Sequence, residues 1–387
     1  MTKLWLWISV GFTIYVYIGY PALVWTLQAM FGLTPRKDPI EPSVSLLVAA
    51  YNEAAVIAEK IRNSLALDYP AEKIEVVVAS DGSKDATAEI VRSFEGAASK
   101  GRVRLLNFEK NRGKTVALND AVPQLGGEIV AFSDASSMLA PDSLRILVRH
   151  FSDPRIGAAS GVYRLLKKDL AHIGSSEELY WKYETFLKLQ EAKLGAFTGA
   201  HGSLYAIRRE LYPFPSAKTI NDDFTIPIRI LEKGHRVGYE PAAVAYEEAQ
   251  EMEGFSRRVR IMAGNIEQLR EIKSLLWPPR PLVAFCLLSH KTGRLLVPVF
   301  MLVALITNIA LRGEFPYGWL MLAQAVFYSL ALLGSKLALR PKVLRLPYYF
   351  CMINSALFAW MYQAVRHRRA IPSRIELDQL GNRPPVA

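Results

Sequence analysis

Val44-Ser45-Leu46-Leu47-Val48-Ala49-Ala50 is a near-continuous apolar run that stops at Tyr51-Asn52-Glu53, and a helical pattern follows through Ala54, Ile57, Ile61 and Leu65. The same unit then recurs. Ile74 to Ser80 reads as a strand ending at Asp81-Gly82-Ser83-Lys84-Asp85, with Ala86, Ile90, Val91 and Phe94 marking its helix. Val103 to Leu106, a helix from Lys114 to about Val122, and Glu128 to Ser133 continue the series, and the last strand ends at Asp134-Ala135-Ser136. Strands alternating with helices at this spacing imply an α/β fold, a mostly parallel sheet with helices on both faces. Ligands bind such sheets at the carboxyl ends of the strands. Here those ends are where the polar residues cluster.

Residues 40–276 form one polar block, and the apolar sequence lies on either side of it. Leu4 to Pro35, Leu295 to Leu311, Phe315 to Ser335 and Leu346 to Val365 carry no charged residue. Each approaches the roughly 17 to 25 residues an apolar helix needs to cross a bilayer. Residues 1–35 read as a retained anchor, because the run far exceeds the about 7–15 apolar residues of a signal peptide and has no clear small-x-small cleavage site. Residues 294–366 read as C-terminal membrane segments and 367–387 as a basic polar tail. Between block and bundle, residues 277–293 are short and punctuated by proline, so an interfacial helix is expected there.

Hydrophobic residues make up 51% of the chain and charged residues 21%, which excludes disordered, collagen-like and disulfide-scaffold classes. Cys286 and Cys351 lie in apolar sequence and indicate neither a disulfide framework nor a thiolate metal site. The net charge is +11, and much of the excess flanks the apolar runs: Arg36, Lys37, Lys291, Arg294, Lys336, Arg340, Lys342, Arg345 and Arg366 onward. These positions point to membrane lipids. Nucleic acid is not implied, because no polar stretch interleaves basic with aromatic residues. Lys and Arg accumulate on the cytoplasmic side, so the polar block is expected in the cytoplasm of a multi-pass cell-membrane protein. Three C-terminal crossings would leave Arg366, Arg368, Arg369 and Arg374 outside, against that bias. Either Leu346 to Val365 is interfacial or re-entrant, or the bias fails; a cytoplasmic carboxyl terminus is the expectation.

Each motif also has an ordinary structural explanation. Asp81-Gly82-Ser83-x-Asp85 suits a strand-to-helix turn with Gly82 left-handed and Asp85 as cap. Asp134-x-Ser136 suits a loop before Pro141. Two carboxylates at one sheet edge repel unless a cation lies near, however, and Mg²⁺ or Mn²⁺ typically binds one or two carboxylates together with phosphate oxygens. Asn221-Asp222-Asp223 suits a helix start, where acids are favoured. The Tyr180, Trp181, Tyr183 and Phe186 cluster fits packing along one amphipathic helix.

Taken together, Ala50-Tyr51-Asn52-Glu53, Ser80-Asp81-Gly82-Ser83-Lys84-Asp85, Asn111-x-Gly113-Lys114-x3-Leu118-Asn119, Asp134-x-Ser136, Gly199-x2-Gly202-x5-Arg208-Arg209, Asn221-Asp222-Asp223 and Arg257-Arg258-Val259-Arg260 resemble the membrane-bound family 2 glycosyltransferases. These include the cellulose, hyaluronan and poly-N-acetylglucosamine synthases. The resemblance covers about residues 40 to 300 and implies a GT-A-like domain using a nucleotide-sugar donor, a UDP-sugar first, and a lipid-linked or glycan acceptor. It implies that Tyr51 and Glu53 border base and ribose, that Asp81 touches the base, and that Lys114 lies near the nucleotide. Asp134 corresponds to the first acid of the family's metal motif, with Ser136 in place of the second, so an Mg²⁺ or Mn²⁺ site completed by diphosphate or water is expected. Asp223 corresponds to the catalytic base, with Asp222 beside it, and Gly199, His201 and Gly202 to the acceptor region. Arg257 and Arg260 occupy the place of the Gln-x-x-Arg-Trp signature. Arg260 keeps the arginine suited to diphosphate, while Ile261 replaces the tryptophan on which an acceptor sugar stacks. That departure favours single transfer over the alternative, a processive polysaccharide synthase. A catalytically inactive assembly subunit is the alternative from another class.

Overall fold

A computed structural model of the chain describes residues 1–96, 102–166, 174–197, 199–248, 264, 266, 280–336 and 346–366. Two compact units emerge, one containing Gly32–Lys168 and Glu191–Ala249, the other Met1–Phe31, Asp169–Gln190 and Gln250–Ile371. In chain order the helices are α1 (Thr2–Phe31), α2 (Ile57–Leu65), α3 (Thr87–Ser93), α4 (Lys114–Ala121), α5 (Ser143–Val148), α6 (Gly174–Lys193), α7 (Asp222–Glu232), α8 (Pro281–Leu311), α9 (Tyr317–Lys336) and α10 (Leu346–Arg366).

The first unit is built on one eight-stranded sheet. Its strands are β1 (Val44–Ala50), β2 (Ile74–Asp81), β3 (Val103–Phe108), β4 (Ile129–Asp134), β5 (Met138–Leu139), β6 (Ile156–Leu166), β7 (Tyr205–Arg208) and β8 (Arg236–Glu248), in the order β3-β2-β1-β4-β7-β6-β8-β5. Strands β3-β2-β1-β4 are parallel throughout. Beyond β4 the sheet becomes mixed: β7 runs antiparallel to both β4 and β6, β8 pairs parallel with β6, and β5 runs antiparallel to β8.

Both faces of β1 are buried, which demands a covering layer on each. Val48 and Ala50 pack with Ile57 and Ile61 of α2, Val91 of α3 and Val76 and Val78 of β2. Leu47 and Val77, on the opposite face by the two-residue alternation, are also fully buried. Burying the side chains of these core residues contributes roughly 1.5–3 kcal/mol for each large aliphatic one. The register pairs Ala50 with Ser80 and Ala49 with Asp134, so β1, β2 and β4 deliver their polar ends to one edge.

In the second unit, α1, α8 and α9 are long and apolar enough to cross a membrane. α10 forms over the fourth uncharged stretch but lies outside that set. Of the stretch 277–293, where an interfacial helix is expected, residues 281–293 form the first part of one continuous helix that runs to Leu311. Pro281 stands at the first helical position, where its missing N–H leaves no bond unmade, so it starts the helix rather than interrupting one. Trp277 lies outside the described residues. Tyr180 makes edge contacts with Trp181 and Tyr349, and the Tyr183 hydroxyl donates to the Tyr17 carbonyl, which is the packing role the cluster suggested. Cys286 and Cys351 are free thiols.

Candidate active site

Asp81 closes β2 and is buried. Its carboxylate accepts from the backbone N–H groups of Arg112, at 3.1 and 3.2 Å, and Gly113, at 2.7 Å. Gly82 makes this loop contact possible. It has φ +69°, and a Cβ there would stand 2.4 Å from the Asn111 nitrogen and 2.5 Å from the Lys110 carbonyl carbon, so only glycine fits without moving the loop. Asp81 is thereby satisfied by backbone donors.

Asp134 has a different partner. Lys114, the first residue of α4, places Nζ 2.8 Å from Asp134 Oδ1 and 3.3 Å from Asp222 Oδ2. Lys114 thus places a positive charge between the acid at the end of β4 and the buried acid that opens α7.

Beside these, the loop after β1 is laced to the loop after β2. Asn52, left-handed at φ 55°, accepts from the Lys84 N–H at 2.8 Å, while the Asn52 N–H donates to Ser83 Oγ at 3.1 Å. Asp85 is expected to cap the following helix; the N-cap is Ala86, and Asp85, one residue before it, accepts from the Ala54 and Thr87 N–H groups. Tyr51 stands exposed at this edge. Burial, with Asp134 and Asp85 nearby, pushes the Glu53 carboxyl above its ordinary value.

On the other side, Asp222 and Asp223 open α7. Asp222 is buried, and the Tyr205 hydroxyl donates to it at 3.3 Å. Asp223 is half-buried, and its Oδ2 accepts from the Gly202 N–H at 3.2 Å. A Cβ on Gly202 would meet Asp134 Oδ2 at 3.3 Å and Asp223 Oδ2 at 3.5 Å, so both carboxylates border that glycine. Gly199 precedes it in the same loop, where Ala200 N–H donates to the Asp223 carbonyl. His201 donates its backbone N–H to Ser160 Oγ, and its Nε2 lies 3.4 Å from the Tyr239 hydroxyl.

The residues present suit a cation completed by its substrate. Asp134 is 34% exposed and Ser136 is exposed, while no group of three or more His, Cys, Asp or Glu able to hold a metal occurs among the described residues. A hard cation here needs diphosphate and water oxygens to fill its shell, as Mg²⁺ commonly does. Arg257 and Arg260 lie outside the described residues.

One group at the site escaped sequence reasoning. Lys60 of α2 is completely buried, and burial pushes its ammonium down to about 7 against the raising pull of Asp134 and Glu247. Its Nζ donates to Ser133 Oγ at 2.7 Å and to the Ser137 carbonyl. The available signal was its place between Ile57, Ile61 and Ser64 on the buried stripe of α2.

The family described as "Glycosyltransferase like family 2" matches residues 42–263, more than half of the chain. A poly-beta-1,6-N-acetyl-D-glucosamine synthase of Staphylococcus aureus is 27% identical over 276 residues, covering 68% of this chain and 65% of that protein. The synthase of the same name from Staphylococcus epidermidis is 28% identical over 234 residues, covering 58% and 55%. The chain thus matches just under two thirds of the length of the first of these relatives. A mannosyltransferase from Pyrobaculum calidifontis, solved in complex with GDP-Man and Mn²⁺, superposes with a TM-score of 0.72 at 25% identity, covering 94% of this chain and all of that one. With its parallel strand edge, its helices on both faces and its matched residues 42–263, the chain belongs to glycosyltransferase family 2.

Proposed function

We propose that the chain is a membrane-bound inverting glycosyltransferase that moves a sugar from a nucleotide diphosphate donor to a hydroxyl of a lipid-linked or glycan acceptor. The observation that carries this reading is the meeting at Gly202 of Asp134, from the parallel half of the sheet, and Asp223, from the helix beyond it. Displacement with inversion at an anomeric carbon needs a proton acceptor beside the incoming hydroxyl and positive charge beside the departing diphosphate.

Asp223 supplies the first. It takes the acceptor proton as that oxygen bonds to the anomeric carbon, and the bond to the diphosphate breaks with its electron pair leaving on the nucleotide. Asp222, buried and engaged by Lys114 and the Tyr205 hydroxyl, holds the start of α7 in place. Lys114 supplies positive charge at the donor side. Asp134 and Ser136 would hold Mg²⁺ or Mn²⁺, whose charge on phosphate oxygens stabilises the leaving group.

A UDP-sugar is the donor favoured by the sequence resemblance. The name of the staphylococcal relatives supports a second reading, a processive synthase of a glycan chain. The Lys and Arg flanks support a multi-pass protein in the cell membrane with the sheet domain in the cytoplasm. Crossings by α1, α8 and α9 alone return the chain to that side before α10, which keeps the basic tail in the cytoplasm.

The test is incubation of the purified full chain with UDP-GlcNAc, UDP-glucose and GDP-mannose, with Mn²⁺ or Mg²⁺ and with chelator. Metal-dependent release of nucleotide and transfer to a glycan acceptor is expected. Absence of both nucleotide binding and nucleotide release across the panel would overturn the transfer reading.

A further inference from the structure

A lysine without exposed surface, on a helix that contributes no predicted site residue, calls for a reason to be retained. An apolar side chain would fill its place on the buried stripe of α2, and burying an ammonium carries a desolvation cost. What Lys60 does is specific. Its ammonium takes Ser133 Oγ, one residue before Asp134, and the Ser137 carbonyl, three residues after it. It therefore clamps both ends of the turn that presents Asp134, a turn closed by the Ser137 N–H on the Asp134 carbonyl at 3.2 Å. Ser137 Oγ in turn donates to the buried carboxylate of Glu247 at 2.6 Å, so the residue whose carbonyl the lysine holds is also tied to a negative charge. Ser133 Oγ accepts from Lys60 and passes its own hydrogen to the Ser203 carbonyl at 2.7 Å. Ser203 adjoins Gly202, where Asp134 and Asp223 meet. One buried cation thus reaches the donor-side turn directly and the acceptor-side loop through a single hydroxyl.

We propose that Lys60 is a positioning residue, holding the Asp134 turn in register with the Gly202 loop so that a diphosphate-bound cation and an acceptor hydroxyl are presented to each other. This rests on the glycosyltransferase reading. A lysine that served only as a core anchor would affect overall stability and leave nucleotide affinity and local mobility at these two segments unchanged.

The experiment uses full-length protein in detergent, as wild type, Lys60→Met and Ser133→Ala. Amide hydrogen exchange is followed over peptides covering 134–137 and 201–204, and UDP and GDP binding with Mn²⁺ is measured by calorimetry. In Lys60→Met both segments should exchange faster while β1 and β2 stay protected, and nucleotide affinity with Mn²⁺ should fall about 10- to 100-fold, the usual cost of losing a group behind a metal ligand. Ser133→Ala keeps the charge and the Ser137 contact but loses both bonds of Ser133 Oγ, so 201–204 should loosen and 134–137 should loosen less than in Lys60→Met. Exchange that is unchanged, or raised evenly across the sheet, overturns the proposal, as does wild-type affinity in Lys60→Met. Should Lys60→Met fail to fold, unchanged exchange at 201–204 in Ser133→Ala overturns it by itself. Wild-type protein that binds no nucleotide would defeat the glycosyltransferase reading, while the exchange measurements would still decide the tether.

Discussion

The two halves of the sheet hold their polar residues by different means. In β3-β2-β1-β4 the candidate residues stand at the ends of parallel neighbours, and strand register alone brings Asp81 and Asp134 to one edge. Their partners, Arg112, Gly113 and Lys114, all come from the loop after β3 and the start of α4. Beyond β4 the candidate residues sit on a loop and at a helix start, and side-chain tethers place them: Gly202 to Asp223, Tyr205 to Asp222, Ser133 to Ser203. A strand edge is a binding platform fixed by backbone pairing. A tethered loop can be altered residue by residue, which suits the side that must accept a particular hydroxyl. Substitutions in the first half should therefore act on donor affinity, and those in the second on turnover.

The largest effect expected is that of Asp223→Asn. The amide keeps the size but is a poor proton acceptor, and losing a general base typically costs about 10²- to 10⁴-fold in rate, or roughly 3 to 5 kcal/mol of barrier. Donor affinity should stay near wild type. Asp222→Asn should cost less turnover and more thermal stability, because that side chain is buried between Lys114 and Tyr205. Turnover and donor binding measured on both variants decide the matter: more than about a tenth of wild-type turnover in Asp223→Asn, outside the range for a lost base, means that Asp223 is not the base.

On the donor side, Lys114→Met removes the cation between Asp134 and Asp222 and leaves two close acids unneutralised. Breaking such a pair costs about 3–5 kcal/mol when fully buried, and less here because Asp134 is a third exposed. The donor KM should rise well above tenfold while the dependence on Mn²⁺ steepens, since added metal becomes the main counter-charge. An unchanged KM with lowered kcat would erase the division between the halves.

A smaller effect is expected of Gly82→Ala. The new methyl meets the 110–111 backbone, and a non-glycine residue held at φ +69° carries about 1–3 kcal/mol of strain. The loop that offers its N–H groups to Asp81 must shift, so donor affinity should weaken and the melting temperature fall by a few degrees, with turnover at saturating donor preserved. Wild-type affinity for the donor would mean that the Asp81 loop takes no part in binding.

The same division explains what the sequence disclosed. Val44–Ala50 is found as read, the next two strands run one or two residues past their reading at the carboxyl end, and β4 is shifted by one residue, because each is a short apolar run bounded by polar residues. β6 and β8 were not read as strands. Their pairing carries register shifts at Ile156/Ala158 and Ser160/Val162 that break the two-residue period. Gly157 and Gly161 look like loop residues in the sequence, yet a Cβ on Gly161 would stand 2.4 Å from the Ala243 carbonyl oxygen, so glycine there permits close strand approach. At the site, Asp134, Asp222, Asp223 and Gly202 were named together through the family pattern. Lys60 was not, because one lysine on an apolar helix face reads as a solvated residue until its partners, 73 and 77 positions away, are brought to it by the fold.

The smallest effect expected comes from acid, and it tests whether the tethered half is also the labile one. Glu240 of β8 accepts from Lys37 Nζ at 2.7 Å and lies 3.3 Å from His150 Nε2. Burial raises its carboxyl, but His150 and Lys37 outweigh burial and hold it down at about 2. A carboxyl depressed on folding contributes stability above its unfolded value near 4.5, and that contribution is lost as pH falls from there toward about 2. His150 is lowered by burial, so its contribution also declines as pH drops below its ordinary 6.5, in the same direction. β1 is held on both sides by backbone pairing along its length, and its carboxylate contact, from Ser45 Oγ to Glu75 of β2, adds to that ladder rather than replacing it. On stepwise acidification, amides of β8 should lose protection against hydrogen exchange before those of β1. Lys37→Met should widen that interval by weakening β8 at neutral pH by roughly 1 kcal/mol, a discounted figure because Lys37 is a third exposed. As Glu240 becomes protonated near pH 2 the difference between variant and wild type should shrink toward zero. A difference that persists there is not ionic, and simultaneous loss of protection in β1 and β8 would mean that the sheet opens as one unit.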